Sequence, residues 1–198
     1  MFHVKQKYDV IVVGAGHAGV EAATMSSRLG MKVAIVTFDK GDIGTLSCNP
    51  AMGGLGKGHL IREIDALGGL IGMASDKSGI QFKVLNKTRG AAVQGPRAQI
   101  DRNLYKRNMM NLLKKENITI IEDEVEDIKT ETFKENINVS GIALVKLGTL
   151  SCKSVIITTG TFLGGKIYRG KECWEAGRLR CKPSIRLTKF FNHFFKVS

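Results

Sequence analysis

The residues with the clearest chemical potential form a glycine pattern near the amino terminus, G-x-G-x-x-G. Its members are Gly14, Ala15, Gly16, His17, Ala18 and Gly19. The pattern is informative between a strand and a helix, because the helix amino terminus offers free N–H groups and a positive dipole end to phosphates. An apolar, β-branched run precedes it and a helix-compatible run follows. These six residues are therefore predicted to bind the pyrophosphate of a dinucleotide, and the glycines alone leave FAD and NAD both open.

A second candidate lies in the glycine-rich stretch 47–58, SCNPAMGGLGKG. It is not a Walker A phosphate loop, because Ala51 replaces the first glycine and no Ser or Thr follows Lys57. Cys48 is a candidate nucleophile here, since Lys57 or a helix end could favour the thiolate. The alternative is that Cys48 only fills space. We predict a shaped loop close to a flat ligand.

Two further segments bear on the nucleotide. The acid that usually binds the ribose is replaced by Thr37, and Asp39 follows two residues later. Residues 155–160, VIITTG, resemble the second FAD motif of two-domain flavoproteins. We expect this strand end to return close to the cofactor.

The elements needed to position these residues follow from hydrophobic periodicity. The expected strands are 8–13, 32–37 and 118–121, with a meander through 137–147 and 150–158; the expected helices are 20–29, 59–67 and 97–116, with a long loop at 38–58. Leu60, Ile64 and Leu67 would share one face of the second helix. The βαβ order predicts an α/β, Rossmann-like FAD-binding domain of two-domain flavoprotein type, with a parallel sheet plus a β-meander.

The charge of the chain, +12 in 198 residues, is distributed unevenly. Residues 83–115 carry nine basic residues and one acid, whereas residues 116–135 carry eight acids and two lysines. Such segregation indicates either a polyanionic partner or a set of solvated helix faces. The four cysteines have no C-x-x-C spacing, so we predict neither a metal site nor a disulfide framework.

The amino terminus runs almost directly into a strand, so we expect no signal peptide. No apolar run approaches membrane-spanning length. We therefore expect a cytoplasmic protein in a reducing compartment, without a membrane partner.

Four blocks carry a family resemblance: GAGHAGVEAA, SCNPAMGGLGKGHLIREIDALGG, GIQFKVLNKTRGAAVQGPRAQIDRNLY and TGTFLGGKI. Over residues 8–184 the chain resembles the glucose inhibited division protein A family, the FAD-binding subunit of the tRNA uridine 5-carboxymethylaminomethyl modification enzyme. The resemblance implies a homodimeric enzyme, bacterial more than mitochondrial, that acts on the wobble uridine of tRNA with a partner GTPase. It implies FAD, NADH and methylenetetrahydrofolate as cofactors, with glycine or ammonium as the nitrogen source.

The resemblance also implies roles for individual residues. Residues 14–19 would contact the FAD pyrophosphate, Val125 the adenine side through its backbone, and Ser184 another part of FAD. Cys48 would assist the chemistry, and a set of cations would face uracil or tRNA: Arg89, Arg97 and Arg102. Arg180 and Cys181 depart from the family pattern beside Ser184.

We expect residues 1–165 to form an incomplete FAD-binding domain and residues 166–198 to begin a truncated inserted domain, so that the chain alone would be inactive. The four phenylalanines of residues 189–198 would then lack cover. Three alternatives remain: a folate- and FAD-dependent tRNA uridine methyltransferase, a non-catalytic FAD-binding module, and an ordinary NAD(P)H-dependent oxidoreductase. The last would need a substrate pocket that the sequence does not reveal.

Overall fold

The structure is a computed structural model that describes residues 7–134, 136–177 and 184–194. Its strands are β1 (Lys7–Val13), β2 (Val33–Thr37), β3 (Ala51–Gly53), β4 (Gly79–Leu85), β5 (Gly95–Ile100), β6 (Ile118–Glu122), β7 (Val125–Phe133), β8 (Asn136–Leu144), β9 (Gly148–Ile157), β10 (Lys166–Arg169) and β11 (Glu172–Glu175). Its helices are α1 (His17–Arg28), α2 (Lys57–Ala66), α3 (Leu70–Asp76), α4 (Arg102–Leu113) and α5 (Ile185–Phe194).

The main sheet has six strands in the order β6-β2-β1-β9-β8-β7. Its first four strands are mutually parallel, whereas β8 and β7 continue it as an antiparallel meander. The predicted α/β fold, a parallel sheet plus a β-meander, is confirmed. Because β1 is flanked by β2 on one side and β9 on the other, the chain changes direction of winding at β1. This is where ligands bind in open α/β sheets, beyond the carboxyl ends of the strands.

Two hydrophobic cores cover the two faces of this sheet. Val10 and Val12 of β1 face the core that contains α1, α3 and α4 residues, whereas Ile11 and Val13 face the other. Ile11 and Val12 are fully buried, as expected for a strand covered on both faces. Burying each such side chain contributes about 1.5–3 kcal/mol. The short run YDVIVV thus forms the centre of the sheet.

A buried carboxylate connects α1 to the start of α3. Glu21 accepts hydrogen bonds from the backbone N–H groups of Leu70, at 2.8 and 3.0 Å, and Ile71, at 2.7 Å. It is only 6% exposed. A carboxylate at a helix amino terminus satisfies donors that have no partner within the helix.

The predicted helix 97–116 is wrong over its first part. Residues around Pro96 form β5, the central strand of a second sheet ordered β3-β5-β4. Burial alternates along β5, with Ala98 and Ile100 inside, so the strand period governs this segment. The helix begins after Asp101, whose carboxylate accepts from the N–H of Leu104 at 2.8 Å as an N-cap.

The long loop predicted at 38–58 also contains regular structure: a 3₁₀ turn at Lys40–Asp42, strand β3 and the start of α2. The face of α2 that carries Leu60 and Leu67 is not buried, because these side chains are 60% and 73% exposed. Ile61 packs against the core instead. Gly68, with φ of +87°, ends the helix.

The last described helix, α5, packs against β7 and buries Leu187 completely. Phe190 and Phe191 pack partly buried against the same core, so the expectation that all four terminal phenylalanines lack cover is wrong for these two. The predicted domain boundary at residue 165 stays a prediction. No helix among the described residues has the length and apolar character needed to cross a membrane.

Candidate dinucleotide-binding cleft and the adjoining cavity

The turn between β1 and α1 requires glycine at two of its three glycine positions. Gly14 has φ of +103°, and a Cβ there would lie 2.6 Å from the carbonyl oxygen of Thr158. A Cβ on Gly19 would lie 1.9 Å from the carbonyl oxygen of Gly14. Gly16 differs, because no heavy atom lies within 4 Å of the place its Cβ would take. Gly14 and Gly19 therefore serve packing, while Gly16 leaves open space in front of the helix.

This turn forms one wall of a cleft of about 240 Å³ at the carboxyl ends of β1, β2 and β9. Six of the predicted cofactor-binding residues line it: Gly14, Ala15, Gly16, His17, Val125 and Ser184. Ala18 and Gly19 lie in the first turn of α1, outside the lining residues. The cleft therefore brings together turns and strand ends that are up to 171 positions apart, from Val13 to Ser184.

A dinucleotide fits the chemistry of this wall. Gly16 is the N-cap of α1 and offers no side chain to the N–H groups of the first turn. Those N–H groups and the helix dipole can bind a pyrophosphate, which approaches through the open space at Gly16. The flanking Thr37, Phe38 and Asp42 supply hydroxyl, aromatic and carboxylate groups at the end of β2.

Thr37 stands at the end of β2, where a dinucleotide-binding domain usually has an acid that binds the ribose. Thr37 lines the cleft, and its hydroxyl donates to the carbonyl oxygen of Asp39 at 3.3 Å. Asp39 is not a lining residue. Its carboxylate accepts from the N–H of Gly41 at 2.6 Å and caps the 3₁₀ turn. Thr37 is therefore the better placed of the two residues to contact a ribose.

The segment 158–160 closes the cleft from the side of β9. The Thr158 hydroxyl lies 3.0 Å from the carbonyl oxygens of both Val13 and Gly14. The backbone N–H of Thr158 donates to the carbonyl oxygen of Val13 at 2.8 Å. Thr159 and Gly160 line the cleft beside it. These contacts join the glycine turn to the end of β9.

Asp123 is a buried residue of the cleft that the sequence did not single out. It is 2% exposed, and its carboxylate accepts from the N–H groups of Glu124, Lys146 and Leu147 at 2.8–3.2 Å. Its own N–H donates to Thr37. The Asp123 carboxylate thus joins the turn before β7 to the β8–β9 turn by hydrogen bonds. This holds Val125 at the cleft.

His17 lines the cleft with a neutral imidazole. Burial lowers the pKa of His17 to about 4, and the charge of Lys57 adds to the effect. Its ring centroid lies 5.7 Å from that of Tyr105, and Nε2 has no hydrogen-bond partner among the described residues. An imidazole of this kind contributes no positive charge to the site at neutral pH.

A second cavity, of about 390 Å³, adjoins the cleft and shares His17, Thr45 and Ser47 with it. Cys48 is exposed and lines this cavity with Lys57 and Arg97. Cys48 is thus next to the predicted cofactor site.

The three predicted arginines lie in different places. Arg97 lines the second cavity, and Arg102 donates from its guanidinium to the backbone carbonyl of Cys48. Arg89 lies in the turn after β4, outside the residues that line these two cavities. Sequence reasoning missed the juxtaposition of Lys57 with Arg97, because they are 40 positions apart and no local pattern links them.

In the described part of the chain, no group of three or more His, Cys, Asp or Glu side chains is arranged to hold a metal ion. Arg180 and Cys181, the departures from the family pattern, lie outside the described residues.

Comparison with known proteins gives a consistent result. The tRNA uridine 5-carboxymethylaminomethyl modification enzyme MnmG of Sulfurihydrogenibium sp. (strain YO3AOP1) is 50% identical over 187 residues, which are 93% of this chain and 30% of that protein. The protein of the same name from Granulibacter bethesdensis is 51% identical over 92% of this chain and 29% of its own length. The chain thus spans about a third of the length of these relatives.

Solved structures agree with the sequence relatives. The structure of Aquifex aeolicus GidA in the form II crystal has a TM-score of 0.88 and 44% identity, covering 98% of this chain and 32% of that one. The GidA-related protein from Thermus thermophilus shares the fold, with a TM-score of 0.62 at 18% identity over 95% of this chain and 68% of its own. A family model described as glucose inhibited division protein A matches residues 9–197. The chain therefore belongs to the glucose inhibited division protein A family.

Proposed function

We propose that this chain supplies the FAD pyrophosphate site of an enzyme that adds a carboxymethylaminomethyl group to C5 of the wobble uridine in tRNA. The observation that carries the proposal is the cleft at β1, where the open face of Gly16 meets the amino terminus of α1. Relatives at about 50% identity carry the name of that modification. FAD, when bound, would supply the redox chemistry, and the residues of the cleft would hold and orient it.

Individual residues would have separate tasks in this site. The N–H groups of residues 16–19 would bind the pyrophosphate. Thr37 would contact the ribose from the end of β2, and the backbone of Val125 would lie on the adenine side. Ser184 would close the cleft next to Phe162, whose carbonyl oxygen accepts from the Ser184 N–H at 2.7 Å. The buried carboxylate of Asp123 would position Val125 without touching the cofactor.

Cys48 is proposed to assist the chemistry from the cavity beside the cleft. Its exposure keeps the thiol accessible. Lys57 and Arg97 line the same cavity and would attract an anionic substrate group to the thiol. The hydrogen bond from Arg102 to the Cys48 carbonyl holds the loop in place. The exposure of Cys48 and the positive charge of Lys57 and Arg97 support this role.

The remaining cofactors and partners are proposals for the whole protein. NADH would reduce the flavin, methylenetetrahydrofolate would supply the one-carbon unit, and a GTPase would act as partner of a homodimer. The tRNA would be bound in part by basic residues such as Arg102 and Arg107, which are exposed on α4.

Two experiments test this proposal. The first titrates the 198-residue chain with FAD and follows flavin fluorescence, with NAD as competitor; saturable binding that NAD displaces poorly supports an FAD site. In the second, this chain replaces the matching segment of a full-length relative. The tRNA modified by that chimaera is analysed by mass spectrometry. Restored carboxymethylaminomethyluridine supports the proposed activity, whereas a folded, FAD-loaded chimaera that leaves uridine unmodified contradicts it.

A further inference from the structure

Four buried polar side-chain atoms lack a hydrogen-bond partner within residues 7–134, 136–177 and 184–194: His17 Nε2, Thr24 Oγ1, Thr45 Oγ1 and Tyr105 Oη. Their locations divide them into two pairs. His17 and Thr45 line both the cleft and the second cavity, so a ligand in either space can supply their partners. Thr24 and Tyr105 are 0% exposed and line neither space. Because native proteins rarely leave a buried hydroxyl unpaired, these two need a partner inside the domain.

The buried carboxylate of Glu21 lies on the same face of α1 as Thr24. The two residues are three positions apart, which places their Cβ atoms about 5–6 Å from each other on a helix. The carboxylate accepts from two backbone N–H groups, those of Leu70 and Ile71. A carboxylate has about four acceptor sites, so Glu21 can accept from a further donor.

Tyr105 reaches this face of α1 from α4. Its ring centroid lies 5.7 Å from that of His17, and His17 precedes Glu21 by about one helical turn. Burial raises the pKa of the Tyr105 hydroxyl, and the negative charge of Glu21 adds to the effect. The phenol is therefore protonated at neutral pH and can donate a hydrogen bond.

Water is the partner that suits these groups. The hydroxyls of Thr24 and Tyr105 each donate and accept, whereas the Glu21 carboxylate only accepts. A direct O–H···O bond spans about 2.5–3.0 Å, so side chains spaced by about 5–6 Å are better joined through one small bridging molecule. A buried water typically forms about three hydrogen bonds to polar groups that have no other partner. The three oxygen-bearing side chains here provide that number.

We propose that a buried water molecule binds between α1 and α4, bonded to the hydroxyls of Thr24 and Tyr105 and to the carboxylate of Glu21. Tyr105 is thereby a positioning residue, because the bridged hydroxyl fixes its ring and the ring contacts the imidazole of His17. That imidazole lies where the cleft and the second cavity meet. The inference does not depend on the proposed function, because the three bridged residues line neither space.

The first measurement detects the water itself in the flavin-free 198-residue chain. Magnetic relaxation dispersion of water oxygen-17 counts internal waters that stay bound for longer than nanoseconds. The signal of one such water should be present in the parent chain and lost in the double variant Thr24→Val/Tyr105→Phe. It should persist in Tyr168→Phe, the matched control, because that hydroxyl belongs to an exposed side chain.

Thermal unfolding tests the bonds that the water forms. Removing a buried hydroxyl without a partner leaves stability unchanged or raises it, whereas removing one that is bonded to water loses a hydrogen bond. Tyr105→Phe and Thr24→Val should therefore each lower the melting temperature by about 2–4 °C. Because both hydroxyls bind the same water, the double variant should lose less than the sum of the single losses. Tyr168→Phe should melt like the parent chain.

The imidazole nitrogen-15 signals of His17 test the positioning role. They should move in Tyr105→Phe, which keeps the ring and loses only the hydroxyl, and stay at the parent values in Tyr168→Phe. Four outcomes overturn the proposal: no long-lived internal water in the parent chain, a Tyr105→Phe variant that melts at or above the parent temperature, additive losses in the double variant, or unchanged His17 signals in Tyr105→Phe. The measurement on the parent chain remains decisive even where a variant fails to fold.

Discussion

Replacing Gly16 by valine separates the ligand role of the glycine turn from its packing role. Gly16 has φ of −69° and ψ of −177°, an extended conformation that any residue adopts, and its Cβ would meet nothing within 4 Å. The free energy of unfolding of Gly16→Val should therefore fall by no more than about 1 kcal/mol, the cost of valine at an N-cap. The side chain would nevertheless fill the space through which the pyrophosphate approaches.

The expected effect on FAD binding is much larger. Excluding the pyrophosphate from two backbone N–H groups removes two charged hydrogen bonds of about 1.5–3 kcal/mol each. The sum, about 3–6 kcal/mol, corresponds to a dissociation constant roughly 10²- to 10⁴-fold higher. Flavin fluorescence titration measures this change, and urea denaturation of the same samples measures stability.

Gly19→Ala is the matched comparison, because its added methyl would lie 1.9 Å from the carbonyl oxygen of Gly14 and 2.6 Å from the Thr158 hydroxyl. Overpacking of this kind costs about 1–3 kcal/mol, so this variant should lose stability. FAD affinity in Gly16→Val within about threefold of the parent would refute the assignment of this turn to the pyrophosphate. A loss of stability in Gly16→Val as large as in Gly19→Ala would refute the claim that the space before Gly16 is open.

Three further outcomes follow from buried groups. Glu21→Ala should lower the free energy of unfolding by about 2–4 kcal/mol, because two buried N–H groups at the start of α3 lose their acceptor. Glu63→Ala, at an exposed position, should change it by less than about 0.5 kcal/mol, and urea denaturation measures both variants. Because the folded pKa of His17, about 4, lies below its ordinary 6.5, the unfolded chain binds more protons between these values, and stability should fall as pH drops from 6.5 to 4; His17→Gln should flatten this part of the stability profile. Iodoacetamide followed by peptide mass mapping should label the exposed Cys48 in the folded chain and spare Cys152, since burial raises the pKa of Cys152 to about 11; equal labelling of the two would contradict the structure.

The sequence predicted those parts of the fold that depend on short, local patterns. The glycine turn, the buried runs of β1 and β2 and the strand at 118–121 each combine composition and flanking turns within about a dozen residues. These elements place the cleft, so the glycine pattern predicted four of its lining residues, Gly14, Ala15, Gly16 and His17, whereas Val125 and Ser184 were implied by the family resemblance.

Other elements were missed for identifiable reasons. The alternation of Ile80, Phe82 and Val84 with polar residues is a strand signal, and β4 follows it although these apolar side chains are exposed. The helix expected to begin at residue 97 starts later, because the N-cap of α4 is Asp101. Asp123 could not be found locally, because its partners Lys146 and Leu147 come 23 and 24 positions later.

The hydrogen bonds between Thr158 and the glycine turn determine when the cleft forms during folding. The two partners are 144 and 145 positions apart, and β9 must insert between β1 and β8 before they meet. Pairings of such long sequence separation form slowly, after local structure. During synthesis, the chain emerges with its glycine turn long before β9 exists, so that turn cannot yet form its wall of the cleft. A flavin that binds only the closed cleft would then favour the completed fold by mass action, and flavin supply would influence how much of the protein matures.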